Sequence, residues 1–153
     1  MKKILFVCLG NICRSPLGEA IFNHKASMMG LDMVADSAGT AAYHVGEQPD
    51  HRSIEVARVH GVPINHKARK LIVEDFDRFD YILAMDGQNF QDMKSLTTGN
   101  TDHLFLLREF DQDANGKQDV PDPYYGGYDG FENVFQMVSR SIDQLIVHIE
   151  AEK

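Results

Sequence analysis

Two rhythms of apolar residues alternate along this chain. Compact runs rich in β-branched, aromatic and aliphatic residues at Lys3 to Val7, Met33 to Ser37, Tyr81 to Met85 and His103 to Leu106 have the length and composition of buried strands. Between them the apolar positions shift to helical spacing, which predicts helices over Pro16 to Met29, Asp50 to His60 and Gln88 to Leu96. The steadiest pattern comes last: Phe131, Val134, Phe135, Val138, Ile142, Leu145, Ile146 and Ile149 lay one apolar stripe along about five turns. Strands separated by helices imply parallel pairing, since each helix carries the chain back to the same end of the sheet. We therefore expect an α/β fold with a four-stranded parallel sheet and helices on both faces, formed by residues 1–153 as a single domain. In such a sheet ligands bind outside the carboxyl ends of the strands.

The first strand runs into the segment Val7-Cys8-Leu9-Gly10-Asn11-Ile12-Cys13-Arg14-Ser15-Pro16, and Pro16 suits the first turn of the helix that follows. At a strand-to-helix junction unpaired backbone N–H groups converge and the helix dipole adds positive potential, so the main chain from Leu9 through Cys13 can hold a tetrahedral anion. Gly10 lets the backbone turn tightly around it. A cysteine at a helix N-terminus beside an arginine is favoured as thiolate, which makes Cys8 a candidate nucleophile. Arg14 offers a planar fork matched to two phosphate oxygens and to the charge of a transition state. Ser15 puts a hydroxyl where it can hydrogen-bond the sulfur. A nucleotide-binding P-loop is a poor match, because the Gly-Lys-Ser/Thr ending is missing, and two cysteines without a second pair lack the ligands for zinc.

Late in the chain, Val120-Pro121-Asp122-Pro123-Tyr124-Tyr125 encloses one aspartate between two prolines, which stiffens the backbone and fixes where the carboxyl points. Expelling an alkoxide or phenolate from phosphorus needs a proton, so Asp122 is the candidate acid and Asp119 its competitor. The preceding stretch from Asp111 to Asp119 looks like a polar surface loop. Composition narrows the partners: 15 basic against 23 acidic residues give a formal charge of −8, which argues against nucleic acid or an anionic membrane surface. Neither a signal peptide nor a membrane span is legible, and with Cys8 and Cys13 the only cysteines a reducing cytoplasm is the expected setting.

These motifs resemble those of the low-molecular-weight protein tyrosine phosphatases, and the likeness extends over essentially the whole chain. The loop from Val7 to Pro16, the Asp122-Pro123-Tyr124-Tyr125 segment and their order in the chain all match. Asp36-Ser37-Ala38-Gly39-Thr40 and His66-Lys67-Ala68-Arg69 are similar to family segments that brace the loop. The resemblance implies a phosphotyrosine phosphatase I-like, Rossmann-like fold. It also implies hydrolysis of phosphotyrosyl proteins and aryl phosphates through a phosphocysteine on Cys8, with no cofactor or metal, by a monomer or weak homodimer. Carried over by residue, Arg14 clamps the phosphate and Asp122 is the acid and then the base. Asn11 holds the loop in an unusual backbone conformation supported by Ser37 and His66, while Tyr43, Tyr124 and Tyr125 wall the cleft. Asp86 matches a family aspartate near the loop. Arsenate reductases and protein arginine phosphatases share this fold. The former resemblance would need further cysteines outside the loop, and the latter a threonine in place of Ile12.

Overall fold

The computed structural model describes residues 1–124 and 126–152. Four strands, β1 (Lys2–Cys8), β2 (Met33–Gly39), β3 (Tyr81–Ala84) and β4 (Leu104–Leu106), form one sheet in the order β2-β1-β3-β4. Every pairing is parallel, with Cys8 opposite Gly39 at the carboxyl end of β1 and Val7 opposite Ala84 of β3. The four predicted strands are all present, and β1 is central because its residues are apolar on both faces. Ile4 and Phe6 project into one core and Leu5 and Val7 into the other.

The helices are α1 (Arg14–Met29), α2 (His51–Val59), α3 (Asp75–Arg78), α4 (Gly87–Leu96) and α5 (Tyr128–Ala151). On the first face α1 packs against α5, whose predicted stripe from Phe131 to Ile149 is buried along its whole length. The opposite face is closed by Met93 of α4, Phe76 of α3 and Leu71. Gly18 brings α1 close to the sheet: a Cβ there would lie 2.8 Å from the Phe6 ring. Two short pieces went unpredicted, α3 and a 3₁₀ turn at Leu107–Phe110, because each is too brief to show a period.

The stretch from Asp111 to Asp119 is the expected surface loop, but it is anchored at its start. Asp111 is buried, and its carboxylate pairs with Arg108 at 3.0 Å and Arg140 at 2.8 Å, tying the loop to α5. This anchor matters for function, because the same loop continues into Val120 and Asp122.

Candidate active site

Residues 9–13 connect the end of β1 to the start of α1, and the protein around them turns their carbonyls outward. The Cys8 carbonyl accepts from the Thr40 amide at 2.9 Å, Leu9 from Ala41 at 3.0 Å and Ile12 from Asp50 at 2.7 Å. The Cys13 carbonyl accepts from the Ser53 hydroxyl at 3.2 Å. In a planar trans peptide the N–H points opposite to the carbonyl, so the amides of Leu9, Gly10, Cys13 and Arg14 face the inside of the loop. Glycine is required at position 39 for this approach, since a Cβ there would lie 2.7 Å from the Leu9 carbonyl oxygen.

Asn11 sets the turn with φ at 58°, in the left-handed region that asparagine tolerates. Its amide is fully buried. Nδ2 donates to Ser15 Oγ at 2.7 Å and Ser37 Oγ at 3.0 Å, while Oδ1 accepts the Arg69 amide at 2.9 Å and faces His66 Nε2 at 2.7 Å. Because Ser15 Oγ accepts from Asn11, its own hydrogen is available to Cys8 Sγ, 3.0 Å away. Toward a sulfur anion, which has no hydrogen of its own, the hydroxyl can act only as the donor, and it would stabilise sulfur both as an anion and as a leaving group.

Arg14 is 3% exposed and bonded before any substrate arrives. Nη1 donates to Asp86 Oδ2 at 2.7 Å and to the Val120 carbonyl at 2.9 Å, and Nη2 lies 3.7 Å from Asp122 Oδ2. Burial alone would favour the neutral form, but Cys8, then Asp86 and Asp122, outweigh it and hold the guanidinium protonated. Asp86 is fixed in turn as the cap of α4, accepting the Asn89 amide at 2.7 Å. For Cys13, burial and then the neighbouring Asp50 and Cys8 push the thiol up, leaving it protonated and inert. Cys8, Arg14 and Asp122 share a cleft of about 160 Å³ whose walls include Leu9, Ile12, Tyr43 and Tyr124. A sulfur, a cation and a carboxylate thus meet around inward-facing amides, a set of groups able to receive a tetrahedral dianion.

The sequence model of the family described as low molecular weight phosphotyrosine protein phosphatase matches residues 3–153. This chain belongs to that family. The low molecular weight protein-tyrosine-phosphatase YfkJ of Bacillus subtilis is 42% identical over 157 residues, covering 100% of this chain and 99% of its own. The crystal structure of a protein tyrosine phosphatase from Entamoeba histolytica with Hepes in its active site superposes with a TM-score of 0.94 at 36% identity, over 99% of each chain. The Drosophila arginine phosphatase DARP superposes with a TM-score of 0.91 at 34% identity, over 100% of each chain.

Within this low molecular weight phosphatase, the residues singled out from sequence converge with few exceptions. Cys8, Leu9, Gly10, Ile12, Cys13, Arg14, Tyr43, Asp122 and Tyr124 line one cleft. Asn11, Ser15, Ser37 and His66 form one hydrogen-bonded brace behind it, and Asp86 backs Arg14. Tyr125 lies outside the described residues. The two candidate carboxylates are placed differently: Asp119 accepts the Gly87 amide at 2.9 Å, whereas Asp122 lines the cleft. Sequence did not single out His44, which lines the cleft and binds Glu47 at 2.7 Å, or Glu19, which accepts from Ser37 at 2.7 Å. Neither sits in a local pattern that marks it. Glu19, Asp36 and His66 hold ligand-type atoms within 4.8 Å of one another. These groups already serve other partners: His66 meets Asn11, Glu19 accepts from Ser37, and Asp36 pairs with Arg69, so the cluster is a brace for the loop. Among the described residues no helix is long and apolar enough to cross a membrane.

Proposed function

We propose that this chain acts as one catalytic domain that hydrolyses phosphotyrosine in proteins, and aryl phosphates in general, through a phosphocysteine. The single observation carrying this reading is the cleft that gathers Cys8, Arg14 and Asp122, with the guanidinium 3.7 Å from the carboxylate. In the first step the Cys8 sulfur attacks phosphorus in line with the leaving oxygen. The P–O bond breaks as the S–P bond forms, and Asp122 delivers a proton to the departing phenolate. Arg14 and the inward amides hold the three equatorial oxygens throughout. In the second step Asp122, now a carboxylate, removes a proton from water as its oxygen attacks phosphorus. The S–P bond breaks, inorganic phosphate leaves, and the Ser15 hydroxyl stabilises the released sulfur.

The apolar side chain of Ile12 and the rings of Tyr43 and Tyr124 support a flat aromatic ester over phosphoarginine, whose guanidinium asks for a polar partner at the loop. Thiol-dependent arsenate reduction is disfavoured because Cys8 and Cys13 are the sole cysteines, leaving none outside the loop to relay a disulfide. A nucleophilic cysteine also suits a reducing compartment such as the cytoplasm. Rapid acid quench with a phosphorus-labelled aryl phosphate tests the mechanism. Label should appear on Cys8, be absent from Cys8→Ser along with all turnover, and persist longer in Asp122→Asn. Turnover by Cys8→Ser at the native rate would refute it.

A further inference from the structure

The loop that carries Asp122 is held at both ends, and different groups hold each end. Upstream, Val120 donates its amide to the Met85 carbonyl at 2.7 Å and accepts from Arg14 at 2.9 Å. Downstream, the carbonyls of Tyr124 and Gly126 both accept from Arg52, at 2.8 and 2.9 Å. The Tyr124 amide donates to Asp122 Oδ1 at 3.0 Å, so the peptide that orients the carboxylate is adjacent to the one Arg52 grips.

Arg52 is itself fixed by two groups, Asp50 and Phe131. Its Nε and Nη2 each bind a different oxygen of Asp50 at 3.0 Å. Its guanidinium carbon stands 4.5 Å from the centre of the Phe131 ring in the first turn of α5. Asp50 caps α2 by accepting the Arg52 amide at 2.9 Å, and its own amide donates to the Ile12 carbonyl. One continuous path therefore runs from the phosphate loop at Ile12 through Asp50 and Arg52 to Tyr124 and then Asp122.

We infer that Arg52 is a positioning residue for proton transfer: it does not touch substrate, but it holds the Asp122 carboxylate at a set distance from the phosphate loop. The inference rests on the proposed role of Asp122. Arginine suits this task because one planar group spans a carboxylate and two carbonyls at once, which the point charge of lysine cannot reproduce. Loosening the Tyr124 end of the loop falls chiefly on the step that needs the proton, since Arg14 keeps its bonds to Asp86 and Val120, and the Cys8 and Leu9 carbonyls keep theirs to Thr40 and Ala41.

The experiment compares two esters, a phosphotyrosyl peptide whose leaving group must be protonated and 2,4-dinitrophenyl phosphate, whose leaving group departs without a proton. We expect Arg52→Met to lower kcat/KM for the peptide by roughly tenfold to a hundredfold, with the dinitrophenyl ester and vanadate binding unchanged within about twofold. Arg52→Lys should show a smaller loss of the same selectivity, and it decides the matter should Arg52→Met fail to fold. In an Asp122→Asn background neither change should reduce peptide turnover further, because no acid remains to be positioned. Equal losses on both esters, undiminished peptide turnover in a folded variant, or a further multiplied loss on Asp122→Asn would overturn the inference alone. If Asp122→Asn itself shows no selectivity between the esters, the role given to Asp122 falls and this inference falls with it.

Discussion

All four hydrogen-bonding positions of the Asn11 amide are occupied, and its backbone sits where most residues are strained. Asn11→Ala would take the acceptor from the Arg69 amide and one donor from each of the Ser15 and Ser37 hydroxyls. We expect a stability loss of about 1–3 kcal/mol in urea denaturation, together with weaker vanadate binding as the loop relaxes. The two loop cysteines should differ sharply in reactivity. Both are buried, but the Cys13 thiol is held protonated by its desolvation and by the carboxylate of Asp50, whereas Cys8 opens on the cleft beside Arg14 and the Ser15 hydroxyl. Iodoacetate at neutral pH should therefore add one carboxymethyl group, at Cys8, with protection by vanadate. Labelling of Cys13 in the folded protein, read by peptide mass analysis, would contradict this.

At the scale of elements, α1 shows why local preference and tertiary fit must be weighed together. Alanine is favoured over glycine in an isolated helix by about 1 kcal/mol, yet a Cβ at position 18 would press on the Phe6 ring at 2.8 Å and the Met85 side chain at 3.1 Å. Overpacking of a filled core typically costs about 1–3 kcal/mol, so Gly18→Ala should lower the melting temperature in spite of its helix propensity. The sequence revealed the elements whose apolar spacing is long enough to count, such as β1 and the stripe of α5, and it revealed the phosphate loop because its residues are contiguous. What it hid are contacts between distant segments. The segment containing His66 and Arg69 has no periodicity, but Arg69 and Leu71 pair with Gly39 across a single parallel bridge and so bring His66 to Asn11. The grip of Arg52 on Tyr124 spans 72 positions and leaves no local mark. Asp111 likewise reads as one polar residue among many until Arg108 and Arg140 are seen around it.

The molecule as a whole carries a formal charge of −8, and its acid limit of stability is set by carboxylates with buried partners. Burial would raise Asp111, but hydrogen bonds from Arg140, the Asp113 amide and Arg108 outweigh it and keep the group below the ordinary carboxylate range. Burial would likewise raise Asp50, but its hydrogen bonds and ion pair with Arg52 outweigh that and lower it. A carboxyl depressed in the folded state stabilises above its unfolded value, about 3.9, and that contribution is lost as pH falls through the lower folded value. Stability should therefore hold down to about pH 4 and then decline steeply; Asp111→Asn should be less stable at pH 7 with a flatter acid decline, measured by denaturation at a series of pH values.

Arg14 finds its second anchor on a carbonyl 106 positions later in the chain. Asp86 holds the same nitrogen at 2.7 Å, so the guanidinium is gripped from two places and is fully seated only once the segment bearing Val120 has docked. A disturbance of that remote segment is therefore transmitted to the guanidinium through a single carbonyl, which makes the seating of Arg14 a report on tertiary docking rather than on its own helix.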